Sequence, residues 1–367
     1  MERQGTDTLR IKRMRVVVLI SLLLHCLPIC AQRGYADFVV SDSTGWLLTQ
    51  AGGLEQVDIH TMQSTVLPLP PAPRLTAIAK DTANNLVVAD SAGQLWRLNK
   101  QTRLWSVVAT CPYASPYALI VDQHNQYLIV HPRGIWTADT HGNHFPDDSL
   151  LLNKGVRGGM RTTRSWEEKP VWLLDSEGRL WLGFDYGEWG GLLFIFDTRR
   201  QQFVQPQPGD FDLAFNPIVS ITQAGRDLYL AGSMRHMHTD SHIARVTKLS
   251  ATTVFTSESC WDHVVGRESA LVYGQSVSLL AFNPVDNQLY AYIDGAIVKT
   301  SVTNQSATID RWTQVIPRSS TDNDRLIRMA FTPTGQLALL YKNRGLGLVD
   351  GKAIRFVKPS VTSIKNG

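Results

Sequence analysis

Seven segments that repeat one grammar, short apolar strands joined by Asp/Asn/Gly turns and no amphipathic helix between them, predict an all-β chain closed as a single β-propeller of about seven four-stranded blades. The most regular mark of the repeat is its second strand. These strands begin at Gly45-Trp46-Leu47-Leu48, Asn85-Leu86-Val87-Val88, Gln126-Tyr127-Leu128, Gly178-Arg179-Leu180-Trp181, Asp227-Leu228-Tyr229, Gln288-Leu289-Tyr290 and Gly335-Gln336-Leu337. From Trp46 through Leu86, Tyr127, Leu180, Leu228, Leu289 and Leu337 the spacings are 40, 41, 53, 48, 61 and 48 residues. A unit of roughly 40 residues or a little more is what a four-stranded blade needs. A β-sandwich would show similar turn signals but gives no reason for the unit to recur, while six or eight blades stay open because the long spacings could hide divergent strands.

Taken in chain order, the first residues read as a secretory leader. Arg10, Lys12, Arg13 and Arg15 precede an apolar run from Val16 to Leu24, then Pro28 and the small residue Ala31. That order predicts cleavage after Ala31, with Gln32 leading a secreted or periplasmic protein. Met14 would serve equally well as the start. Nine apolar residues fall short of the roughly 20 needed to span a bilayer, so no membrane span is expected. The residues before Cys26 and Cys30 do not match a lipoprotein signal. Residues 1–31 carry five of the 36 Lys/Arg and two of the 32 Asp/Glu, so the remainder is nearly neutral, with no general attraction to nucleic acid or anionic membrane. An oxidising compartment would permit a Cys111–Cys260 bridge, but proximity decides that, not sequence.

The blades are expected at residues 35–73, 74–115, 116–152, 170–208, 217–260, 276–318 and 325–358. The second is the clearest, with strands at Leu75 to Lys80, Leu86 to Ala89, Gln94 to Leu98 and Leu104 to Ala109, and turns at Asp81 to Asn85 and Asp90-Ser91-Ala92-Gly93. The seventh repeats the plan at Ile327 to Phe331, Gln336 to Tyr341, Leu346 to Val349 and Ala353 to Val357. No linker or composition break divides the chain, so one domain is expected, as a monomer. Trp96, Trp181, Tyr229 and Tyr290 hold similar sites within strands and read as packing between blades.

The stretch from Val171 to Gly183, with Asp175-Ser176-Glu177-Gly178-Arg179-Leu180-Trp181-Leu182-Gly183 and then Gly190-Gly191-Leu192, resembles the two-component-regulator type of propeller repeat. That family repeats Asp-x-x-Gly-x-Leu-Trp-Ile-Gly-Thr and a Gly-Gly-Leu entry into the next strand. Phe184 stands where the Thr would be, and Asp42 to Leu47 and Thr332 to Leu337 match in part. The resemblance implies a sensor-like propeller; without a following membrane helix or kinase segment, a free-standing relative is expected.

Longer segments gather on one face, where the loop between second and third strands and the link to the next blade both emerge: Asn153 to Lys169, Asp185 to Gly190, Ser233 to Ser241, Ser257 to Gln275 and Ser319 to Arg325. Such loops on a rigid scaffold mark a binding surface. Asp185, Tyr186, Glu188 and Trp189 combine carboxylates and aromatic rings suited to a flat ligand; the bland alternative is a turn packed on the next blade. Arg157, Arg161 and Arg164 would clamp carboxylates bidentately, with Trp166 closing that basic, flexible insertion. Trp261 and His263 sit in the companion insertion. If extended, His236, His238, Asp240 and His242 would face one way and offer a divalent-metal site; otherwise no cofactor is implied, and the segment is a solvated loop. No nucleophile–base set is committed, so whether the protein is an enzyme stays open. The leading expectation is a non-catalytic extracytoplasmic protein holding a glycan, peptide or partner protein. The alternative is a lyase or hydrolase acting on acidic polysaccharide, with His236, His238 or His263 as acid/base.

Overall fold

The structure is a computed structural model. It describes residues 34–41, 43–151, 165–207, 209–236, 238–262, 270–272, 274–302, 308–309, 311–318 and 324–357, with strand backbone alone at 235–236, 238, 260–262 and 270–272. Seven four-stranded antiparallel sheets follow one another along the chain, each a simple meander, and form a seven-bladed β-propeller. The inner strands are Tyr35–Ser41, Leu75–Lys80, Ala118–Val121, Val171–Leu174, Ile218–Ala224, Val277–Asn283 and Leu326–Phe331.

The core is seven clusters rather than one, and each fills one wedge between neighbouring blades. The reason is strand alternation. In the fourth blade, Leu180, Leu182, Phe184, Leu192, Phe194 and Phe196 face the third blade, whereas Trp181, Leu193 and Ile195 face the fifth. Trp96, Trp181, Tyr229 and Tyr290 are all buried in these wedges, as their positions predicted. The ring closes without sharing a strand: Phe38, Leu47, Val57, Ile59 and Met62 of the first blade pack on Ala338, Leu340, Leu346 and Leu348 of the last. Tyr35 N–H donates to Lys342 O at 2.7 Å, and Arg328 pairs with Asp37 across the same seam.

The hairpins carry a recurrent device. Asp175 Oδ1 accepts from the N–H groups of Glu177 and Arg179 at 2.9 and 2.8 Å, while Oδ2 accepts from Trp181 Nε1 at 2.9 Å. Asp90 does the same for Ala92, Gln94 and Trp96, at 2.9, 2.9 and 3.1 Å. One carboxylate thus closes the turn and satisfies the indole of a buried Trp, which would otherwise be an unpaired donor.

Two expectations change. Ser233 to Ser241 is not a loop, because the strands Asp227–His236 and His238–Thr247 run on as one long hairpin whose cross-strand pairing satisfies the backbone. Trp166 is not an exposed end of a flexible insertion. Its ring is fully buried against Phe145, Phe184 and Phe194, filling the wedge between third and fourth blades, and its backbone N–H donates to Pro132 O at 2.6 Å. Cys111, whose pairing the sequence left open, is a free, fully buried thiol, and burial pushes it up to about 11. Among the described residues no helix is long and apolar enough to cross a membrane.

Candidate functional site

The turn after the fourth blade's second strand, Arg179–Asp185, is built from its glycines and its first aspartate. Asp185 Oδ1 accepts from Gly187 N–H at 2.8 Å, and Gly187–Trp189 form one turn of 3₁₀ helix. Gly190 has φ +83°, and its Cα lies against the carbonyls of Leu213 and Ala214, leaving no room for a Cβ. Gly191 N–H donates to Leu213 O at 2.6 Å. The link into the fifth blade is therefore clamped onto this turn.

That clamp fixes what the turn presents. Trp189 is 62% exposed, and Phe215, on the clamped link, is 63% exposed. Asp185 and Gly187 border a cavity of about 690 Å³ at the mouth of the ring, shared with Glu168, Lys169, Ser233 and Arg325. Below it the channel narrows to about 350 Å³ among the inner strands, where Arg328 lies over Trp172 and Phe38. The mouth is balanced in charge, two carboxylates facing two cations.

The remaining predicted residues divide. Glu188 is exposed on the same turn. Tyr186 turns inward: its ring stacks on Phe184 at 6.0 Å, its hydroxyl is buried with no hydrogen-bond partner among the described residues, and burial, with Glu167 and Glu168 nearby, drives its ionisation upward. Its ring thus packs within the wedge between third and fourth blades. In the long hairpin His236 stands opposite His238, Met234 opposite Asp240 and Gly232 opposite His242. Asp240 Oδ1 accepts from Ser259 N–H at 2.7 Å, and His242 Nε2 lies 3.2 Å from Glu258 Oε1, so both stitch the hairpin to the following segment. The side chains of His236, His238 and Trp261 and all of His263, Arg157, Arg161 and Arg164 lie outside the described residues. Among those described, no group of three or more His, Cys, Asp or Glu is disposed to hold a metal.

One buried site went unread in the sequence. His131 is fully buried, stacked on Tyr113 at 4.2 Å. Its Nδ1 accepts from Arg133 N–H at 3.2 Å, so Nε2 carries the proton and donates to Asn143 Oδ1 at 2.9 Å. Burial pushes the imidazole down to about 4.

The fold and this mouth define a seven-bladed propeller with a polar-lined central opening. No family model matches the chain, and no curated protein matches it. Solved structures do. The RRP9 WD40 repeats are similar over 85% of this chain and 88% of that one, with TM-score 0.55 and 9% identity. YCF48 from Cyanidioschyzon merolae is similar over 87% and 96%, with TM-score 0.56 and 13% identity. YCF48 bound to D1 peptide is similar over 89% and 94%, with TM-score 0.56 and 11% identity. At such identities the likeness is one of fold.

Proposed function

We propose that this protein is an exported, non-catalytic binding propeller that seats a peptide segment of a partner protein across its long-loop face, with Trp189 as anchor. The observation that carries the reading is the exposure of Trp189 and Phe215 on two segments clamped together beside the central mouth. A large aromatic held mostly in water on a turn leaves apolar surface solvated, and aromatic anchors dominate protein interfaces. The balanced charges at Glu168, Lys169, Asp185 and Arg325 suit the mixed polar groups of a peptide better than a uniformly anionic glycan. A propeller of similar fold is described as bound to a peptide. Export rests on the basic, apolar and small-residue order of residues 10–31, and a sensor-like role on the Asp175–Gly183 repeat.

Panning a linear-peptide library against the protein tests the binding reading. Peptides enriched on the native chain should bind Trp189→Ala roughly 30-fold more weakly, the loss of an anchor worth about 2 kcal/mol. Equal binding to both forms, or enrichment only on a glycan array, contradicts it. Exported material should begin at Gln32 by mass spectrometry, and an intact leader on a cytoplasmic product contradicts export.

A further inference from the structure

The opposite face of the ring carries a second, larger cavity, of about 910 Å³, where hairpin turns of the fourth, fifth and sixth blades meet. Its lining gathers Arg179, Arg226, Arg245 and Lys248. Two of these guanidiniums are held in place. Arg245 Nε and Nη2 donate to Asp227 Oδ2 at 2.8 and 2.5 Å, and Thr247 Oγ1 donates to Asp227 Oδ1 at 3.0 Å. Arg179 Nε donates to Asp175 Oδ2 at 2.8 Å, with Nη2 at 2.8 Å from Glu177 Oε2. Both carboxylates among the described lining, Asp227 and Glu177, are thereby engaged. Arg226 and Lys248, by contrast, have no ion-pair partner among the described residues. Both sit on two-residue turns of the fifth blade, Gly225-Arg226 between Ala224 and Asp227, and Lys248-Leu249 between Thr247 and Ser250. Lys248 and Leu249 have φ +52° and +72°, where hairpins ordinarily place Asn-Gly. Asn287 adds an amide from the sixth blade, and Tyr229 and Phe282 supply an apolar side.

We infer that this cavity binds a small molecule bearing two or more oxyanion groups, carboxylate or phosphate, between the fixed guanidiniums of Arg179 and Arg245 and the two cations Arg226 and Lys248. Fixed guanidiniums lose little freedom on binding, and the planar guanidinium fork suits carboxylates and phosphate oxygens alike. The volume is that of a metabolite-sized ligand rather than a single inorganic ion. The chain as a whole is close to neutral beyond its leader, and the mouth on the other face is balanced, so this cation surplus is local to the cavity.

The inference stands apart from the peptide reading, and calorimetry on the full chain separates the two. Citrate serves as the carboxylate probe, fructose 1,6-bisphosphate as the phosphate probe and fructose as the neutral control. One of the anions should bind, fructose should not, and Arg226→Ala with Lys248→Ala should weaken binding by about tenfold or more while Trp189→Ala leaves it unchanged. The stronger anion identifies the source of the oxyanions. Binding of neither anion below 10 mM in low salt, unaltered affinity in the double variant at an unchanged melting temperature, or equal loss in Trp189→Ala overturns the inference.

Discussion

Trp181 and Trp189 belong to one blade, stand a few residues apart, and have opposite surroundings. Trp181 is 1% exposed, its indole N–H held by Asp175 at 2.9 Å and its ring packed on the fifth blade. Trp189 is 62% exposed on a turn pinned by its own neighbours. Residue type is thus no guide to role here. Strand register buries one, and a clamped turn holds the other out. The difference separates the residues that make the ring from those the ring displays.

The largest effect should fall on the buried partner. Trp181→Ala should cost about 3–5 kcal/mol, the range for removing a large core aromatic, read as a lower midpoint in urea with an unchanged slope. A loss under about 1 kcal/mol would mean that the wedge between fourth and fifth blades does not carry the fold.

His131 extends the contrast to a buried polar group. Its folded pKa, about 4, lies below its ordinary value of 6.5, so the folded chain refuses a proton that the unfolded chain accepts. Its stabilisation is present above pH 6.5 and is lost as pH falls toward 4, by roughly 3 kcal/mol at about 1.4 kcal/mol per pKa unit. Comparing urea unfolding of the native chain and His131→Gln at pH 7.5 and 4.5 isolates this from carboxylate titration. Identical pH dependence in both would contradict the assignment.

Next comes Asp175→Asn. The amide nitrogen would face the donors of Trp181 and Arg179, so a loss of about 2 kcal/mol is expected, with Asp90→Asn behaving alike in the second blade. Smaller still is Tyr186→Phe, which removes a buried hydroxyl that has no partner among the described residues; the melting temperature should hold or rise slightly. A clear fall there would reveal a bond the hydroxyl makes.

Most of this architecture was legible in the residues. In the second blade the expected strands and the observed Leu75–Lys80, Leu86–Asp90, Gln94–Leu98 and Trp105–Thr110 differ by a residue at most, because alternation and Asx turns are local signals. The paired Asp-x-x-Gly-x-Leu-Trp stretches at Asp90 and Asp175 held the turn device in plain view, and comparing them would have found it. What escaped was long-range. Trp166 sits in a basic insertion with no periodicity, and only the wedge between distant strands explains its burial. The cation-lined cavity draws on hairpins of separate blades, from Glu177 to Val302, that no local window brings together. The exposed Trp189 was legible from its turn, whereas its clamping beside Phe215 was not.

One measurement bears most directly on the division between scaffold and display. Thermal melting of Trp189→Ala and Trp181→Ala, run beside binding of a peptide enriched on the native chain, should show the Trp189 variant melting within about a degree of the native protein yet binding roughly 30-fold more weakly. Trp181→Ala should melt several degrees lower. If Trp189→Ala melts as low as Trp181→Ala, or keeps its affinity for the peptide, Trp189 belongs to the scaffold and the long-loop face loses its anchor.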